Sequence, residues 1–311
     1  MSISTHLPRG LYVAPVTPFR EDESVDLPAL ESLTRHLVNE AAADGVLACG
    51  YTGEIASLTE DEQTQIVATI SSVTRTRVPL ICGIRPTSTL HTIEFGRELA
   101  AAGADGLLVN SPFSSLMRRQ YAKRSDIAVK FFADLAEGTG LPLTVFQYPS
   151  SSGVNYPPEL LAEICAIPGV VGVKNSGGAA GYSDDRAAVE GRVSMFADSN
   201  TYDVLAMMSR GQEVLLVGVS NVAPRLWREF YDAWSRGEIS AAVDLANRKL
   251  LPIMRAITGD QGSAAWSFVA RIKEALTQTN VLARPVVRAP EPSVTATDRD
   301  AVRSLLAILA N

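Results

Sequence analysis

Lys174 closes a short, strongly apolar run, GVVGVK (169–174), and is followed by the small-residue segment NSGG (175–178). Burial at the end of such a strand disfavours the ammonium and lowers a lysine's pKa. An amine that is neutral near pH 7 is a nucleophile for a carbonyl carbon and can form a Schiff base. The bland alternative is a strand-terminal lysine whose stem lies on apolar surface while its head reaches water. A second stretch bears on the choice. In GYTGEIASLTEDEQ (50–63), Gly50, Thr52 and Gly53 form a tight turn whose N–H groups and hydroxyl could hold a carboxylate, or simply connect two elements. Glu54 is expected to tie that turn down rather than to react. NSGG is expected to let the chain turn sharply and leave room for a ligand.

Short apolar runs recur along the chain: 11–16, 45–50, 79–84, 106–110, 143–148, 169–174, 193–197 and 213–218. They are rich in β-branched residues and lack polar alternation, which is the pattern of strands buried on both faces. Helical periodicity fills the gaps, as in 27–44, 59–74 and 89–103, and Thr59 followed by acidic residues is an N-cap signal. Eight strands alternating with helices predict a closed (β/α)8 TIM barrel in the α/β class, with its chemistry at the strand C-termini. A doubly wound open sheet is the competitor, but no G-x-G-x-x-G follows the first strand. From 224 onward the pattern is helical only (224–237, 240–258, 263–279 and 297–310), with a proline-rich connector at 281–294. The expected organisation is a catalytic barrel over 1–236 and a C-terminal helical region over 237–311.

The 311 residues carry a net charge of −6 and no basic cluster, which argues against a nucleic-acid surface. The apolar runs are too short to cross a bilayer, and the N-terminal segment lacks a signal-peptide pattern. Cys49, Cys82 and Cys165 are odd in number and widely spread with no metal-ligand spacing, so reduced thiols in a cytoplasm are expected, and the three histidines sit in no zinc-like motif.

Taken in order, TPF (17–19), GYTGE (50–54), FQYP (146–149), GVK (172–174), NVAP (221–224) and the helical tail resemble the dihydrodipicolinate synthase and N-acetylneuraminate lyase family of class I aldolases. The resemblance covers essentially the whole chain. It implies a barrel whose Lys174 forms a Schiff base with pyruvate or another 2-oxo acid. It also implies a turn at Thr52 and Gly53 that binds the 2-oxo acid carboxylate, no metal or organic cofactor, and a homo-oligomer, dimer or tetramer. Gly218 and the nearby backbone are expected to wall the site.

The chain departs from this pattern at several points. The family's strand-five tyrosine is Phe146 here, the first threonine of its loop is Tyr51, and the segment after strand four reads Phe113-Ser114. Ser151 stands where the synthases carry an arginine. These departures argue against dihydrodipicolinate synthesis as the reaction of this chain. Acid–base help is worth about 10²–10⁴-fold, so a replacement hydroxyl is expected, with Tyr51 as first candidate and Tyr148 as second. Arg85, after strand three, could bind a second carboxylate but is expected to be structural. Asp198, in FADSN (196–200), is a candidate for binding substrate hydroxyls. The expected activity is a carbon–carbon or carbon–oxygen lyase taking a 2-oxo acid with an aldehyde or sugar acid. The alternatives are a deoxy sugar acid dehydratase or deaminase using the same lysine, and a 2-oxo acid binding protein impaired in catalysis.

Overall fold

The computed structural model describes residues 6–74, 77–115, 118–211, 213–259 and 268–309. Eight strands close a barrel in sequence order: β1 (Gly10–Val13), β2 (Gly45–Ala48), β3 (Leu80–Ile84), β4 (Gly106–Val109), β5 (Leu143–Gln147), β6 (Val170–Asn175), β7 (Ser194–Ala197) and β8 (Val214–Leu216). The recorded pairings are parallel, as βαβ units require. Every residue of all eight strands is buried, which is why these segments read as continuous apolar runs. β1 and β2 stop short of the predicted runs; Cys49 leaves the strand with a φ of 50° and starts the following turn.

Helices α1 (Leu27–Glu40), α2 (Glu60–Thr74), α3 (Thr89–Ala101) and α4 (Ser125–Thr139) follow the first four strands. A short α5 (Pro149–Ser152) and α6 (Pro158–Cys165) follow β5. Next come α7 (Gly178–Val189), α8 (Asp203–Ser209) and α9 (Pro224–Ser235). Thr59 caps α2 as predicted: the Glu62 N–H donates to Thr59 Oγ1 at 3.2 Å, and the Thr59 N–H donates to Glu62 Oε2 at 2.9 Å. The predicted helix 240–258 resolves into α10 (Ile239–Leu245), a π turn (Ala246–Leu250) and α11 (Leu251–Thr258). Of the predicted helix 263–279, residues 263–267 lie outside the described residues, and the rest is α12 (Phe268–Gln278). The last is α13 (Ala296–Leu309); position 310 also lies outside the described residues.

The chain forms two compact units. One takes residues up to Gly10, Pro79–Ser199 and Asp203–Leu216; the other takes Leu11–Val78, Asn200–Tyr202 and Val217 onward. The 1–236 and 237–311 division follows element order instead, with the helix after β8 ending at Ser235.

In the first unit the strand registers sort side chains into layers. Thr144, Gly172 and Ser194 are partners across β5, β6 and β7, and so are Phe146, Lys174 and Phe196. Partnered residues of parallel strands share a face, and residues two apart share it too. The glycine at 172 suits a crowded layer: a Cβ there would lie 3.0 Å from Thr144 Oγ1 and 3.2 Å from Phe196 Cε2, so a neighbour would have to give by a few tenths of an ångström. The intervening residues, Gln147 and Asn175, point the other way and meet α7. Gln147 Nε2 donates to Asp185 Oδ1 at 3.3 Å, and Asn175 Nδ2 donates to Asp185 Oδ2 at 2.6 Å.

Candidate active site

Asn175 is the last residue of β6 and is buried, so only the remainder of NSGG forms the turn into α7. Gly177 N–H donates to Asn175 Oδ1 at 2.8 Å, and Gly178 opens the helix with φ +85°. This arrangement fixes the end of the strand immediately after Lys174.

Lys174 is 5% exposed. Its amine sits 4.1 Å from the centroid of the Phe146 ring, the register partner on β5. Tyr148 stacks on Phe146 with ring centroids 5.5 Å apart and planes at 28°, the same-face arrangement expected from strand alternation. Lys174 Nζ donates to Ser176 Oγ at 3.2 Å and also hydrogen-bonds Asp198 Oδ2. Ser176 Oγ donates to the same carboxylate oxygen. Burial holds the Lys174 amine below its ordinary value of 10.5; the Asp198 charge and hydrogen bond oppose that shift. The lysine is therefore enclosed rather than reaching into water.

Asp198 and Ser176 are the residues whose roles sequence reasoning missed. Asp198 was expected only as a candidate for binding substrate hydroxyls; its pairing with the lysine was not foreseen. The usable signal was a count by two: Asp198 follows Phe196, Ser176 follows Lys174 and Tyr148 follows Phe146 at the same interval, so alternation carried past the strand ends expects the three on the face shared by those register partners.

In the second unit, the turn after β2 is firmly held. Thr17 Oγ1 donates to the Gly53 carbonyl at 2.7 Å. Glu54 adopts the left-handed region at φ 56° and leads into a 3₁₀ turn, Ile55–Ser57. Its carboxylate is buried and takes hydrogen bonds from Lys273 Nζ at 2.5 Å and from the Arg288 N–H at 3.1 Å, so Glu54 does tie the turn down. Gly218 begins the 3₁₀ turn Gly218–Asn221 after β8. A Cβ there would stand 2.7 Å from Thr52 Oγ1 and 2.8 Å from Phe268 Cζ. Thr52 is buried, while Tyr51 beside it is 40% exposed. Asn221 links the loops after β1 and β8: its Nδ2 donates to the Ala14 and Gly218 carbonyls at 2.7 and 2.8 Å, and its Oδ1 accepts from the Val16 N–H at 3.2 Å.

Of the remaining predicted residues, Arg85 is exposed just past β3, and Phe113 is buried while Ser114 is exposed. Ser151 lies in α5, and its side chain falls outside what is described. The three cysteines are buried and unpaired by disulfides. Among the described residues, no helix is long and apolar enough to cross a membrane.

The model of the dihydrodipicolinate synthetase family matches residues 7–309. The 4-hydroxy-tetrahydrodipicolinate synthase of Syntrophus aciditrophicus is 30% identical over 251 residues, 80% of this chain and 82% of its own. The enzyme of the same name from Kineococcus radiotolerans is 31% identical over 279 residues, 89% of this chain and 85% of its own. Among solved structures, a monomeric dihydrodipicolinate synthase variant superposes with a TM-score of 0.85 at 23% identity, covering 97% of both chains. A catalytic-lysine mutant of Ruminococcus gnavus sialic acid aldolase gives 0.85 at 17% identity, over 97% of this chain and 95% of that one. Both structural likenesses establish the barrel with its helical extension. The near-complete family match, together with relatives at 30% identity over four-fifths of the sequence, makes this chain a member of the dihydrodipicolinate synthetase family.

Proposed function

We propose that this protein is a Schiff-base-forming lyase in which the Lys174 amine attacks the carbonyl of a 2-oxo acid such as pyruvate. The observation that carries the reading is the burial of Lys174 at the end of β6, which holds the amine below its ordinary pKa. A less protonated amine is the nucleophile that carbinolamine formation needs. The iminium that follows is an electron sink. It accepts the electron pair released when a bond to the neighbouring carbon breaks, whether that bond is C–C or C–H. The sialic acid aldolase whose structure is similar is named as having a catalytic lysine, which accords with this reading.

Thr52 and Gly53 are proposed to hold the 2-oxo acid carboxylate, with Gly218 leaving space beside the Thr52 hydroxyl. Phe146 and Tyr148 form an apolar and aromatic wall next to the amine. Tyr51, and second to it Tyr148, are the phenols offered in place of the hydroxyl that Phe146 lacks, as replacement acid–base groups near the Schiff base. Arg85 is a candidate for a carboxylate or sugar-acid tail on that substrate. A homo-oligomer, dimer or tetramer, is proposed from the family resemblance, and a cytoplasmic location from the odd, widely spread cysteines; light scattering on the purified protein measures the oligomer's size.

Borohydride reduction in the presence of pyruvate, followed by intact mass and peptide mapping, tests the reading. The expected result is a stable adduct on Lys174. An adduct with a longer 2-oxo acid and none with pyruvate would direct the assignment to dehydration or deamination. A folded protein that yields no adduct with any 2-oxo acid would overturn the proposal.

A further inference from the structure

Resting on the Schiff-base reading above, we propose that Asp198 is the acid–base residue of this site, moving protons at the Lys174 nitrogen and at the carbon next to the imine. Three observations carry it. Asp198 Oδ2 hydrogen-bonds the reacting nitrogen itself. The same oxygen accepts the Ser176 hydroxyl, which in turn accepts from Lys174 Nζ, so amine, hydroxyl and carboxylate form a closed triangle. The register partner on the other side of the amine is a phenylalanine ring, which can neither give nor take a proton. The carboxylate is also partly enclosed, with a side-chain exposure of 13% beside 7% for the lysine.

The proton balance works with this one group. Asp198 takes a proton from the ammonium and leaves a free amine. The amine attacks the keto carbon, an N–C bond forms, and the carbonyl π pair moves to oxygen, which takes the Asp198 proton. Asp198 then removes a proton from the attached nitrogen and delivers it to the new hydroxyl. The C–O bond breaks, water leaves, and the nitrogen lone pair closes the iminium. Three ammonium protons become one iminium proton and two in water, and Asp198 ends as a carboxylate beside a cation. From there it can take a proton from the adjacent carbon. That C–H pair becomes the C=C bond of the enamine while the C=N π pair returns to nitrogen. The Ser176 hydroxyl positions the carboxylate oxygen throughout.

The test needs no second substrate. Pyruvate in D2O, or 2-oxobutyrate if pyruvate is not trapped on Lys174, exchanges its C3 protons through the enamine, and proton NMR follows the loss of signal. Wild type should catalyse the exchange. Asp198→Asn keeps the side chain's shape, so a merely structural role predicts little change. The proposal predicts a loss of about 100-fold or more, the usual scale for removing a general acid–base group. Asp198→Ala should regain exchange when formate is added, as a carboxylate returns to the gap, and circular dichroism checks that each variant is folded. Exchange in folded Asp198→Asn within about threefold of wild type, far below that scale, would overturn the assignment. So would a loss confined to Tyr51→Phe, which would give the role to the phenol. Wild type that yields neither adduct nor exchange overturns the Schiff-base reading itself, a distinct outcome from an adduct-forming wild type with a competent Asp198→Asn.

Discussion

Lys273 of α12 places its ammonium 2.5 Å from Glu54 Oε1, joining residues 219 positions apart in sequence at the end of the turn that carries Thr52 and Gly53. The lysine is fully buried, also donates to the Val286 carbonyl at 2.7 Å, and lies 4.3 Å from the Phe19 ring centroid. Arg288 adds a second tie. Its backbone N–H meets Glu54, and its guanidinium grips Glu62 with two hydrogen bonds of 2.7 and 2.8 Å and the Ser57 carbonyl at 2.7 Å. The helical extension thus fastens the far end of the turn after β2 and the start of α2. Within its own unit, the extension supplies the buried partners of the turn's Glu54.

Removing one partner of a buried ion pair strands the other charge, which costs about 3–5 kcal/mol. Lys273→Met should therefore lower stability by that order in urea unfolding. Glu54→Gln should do likewise, and the double variant should recover part of the loss, because no unpaired charge remains. In the folded fraction of each single variant, the apparent pyruvate affinity should fall as the turn loosens. Additive losses in the double variant would show that the two residues do not act as a pair.

Gly218→Ala tests the carboxylate turn more locally. The new methyl group would stand 2.7 Å from Thr52 Oγ1 and 2.8 Å from Phe268 Cζ, closer than real Cβ contacts come. The hydroxyl end of Thr52 can yield, so the variant should fold. The expected effect is a rise in the pyruvate concentration needed for half-maximal adduct formation, with a smaller change in the limiting rate. An unchanged concentration dependence would remove Thr52 from the binding role.

The amine's titration gives a third prediction. Burial is the largest influence on Lys174 and lowers its pKa below 10.5, while Asp198 opposes it. Trace labelling with acetic anhydride, quantified on the Lys174 peptide, follows the free-amine fraction. The labelling midpoint should lie below 10.5 in wild type and move lower still in Asp198→Asn, where the group that favours the ammonium is gone. A midpoint that moves upward in the variant would show that the carboxylate is not the amine's principal counter-ion.

How much of this could be read in the chain follows from distance in sequence. The strands were legible because each is buried on both faces and so lacks polar residues at alternate positions. Lys174 stood out because it ends such a run, and the capping box at Thr59 lies within four residues of sequence. Glu54 could be given a tethering role, but its partner could not be named, since Lys273 arrives from the far end of the chain. Asp198 failed for a related reason. Its side-chain direction follows from alternation along β7, yet its meeting with Lys174 depends on the β6–β7 register, which the closure of the barrel sets. Asn175 was misplaced in a loop because a polar residue at a strand end resembles a turn until Asp185 supplies its partner.

Asp185 itself yields the last prediction. It is buried behind β5 and β6 and accepts from Gln147 and Asn175. Burial pushes its pKa up from 3.8 to about 6, against the lowering effect of the two amide hydrogen bonds. A carboxyl raised on folding binds its proton more tightly in the native state. The native protein therefore gains stability as pH falls through about 6 toward the unfolded value near 4, and loses that gain as pH rises. A shift of this size is worth at most about 3 kcal/mol. Asp185→Asn is neutral at every pH and cannot make the gain. The difference in thermal midpoint between the two proteins should therefore shift in favour of wild type as pH falls from about 6 toward 3.8, the window between the raised and ordinary carboxyl values. A difference that stays constant across that range would show that Asp185 ionises as easily in the folded protein as in the unfolded chain.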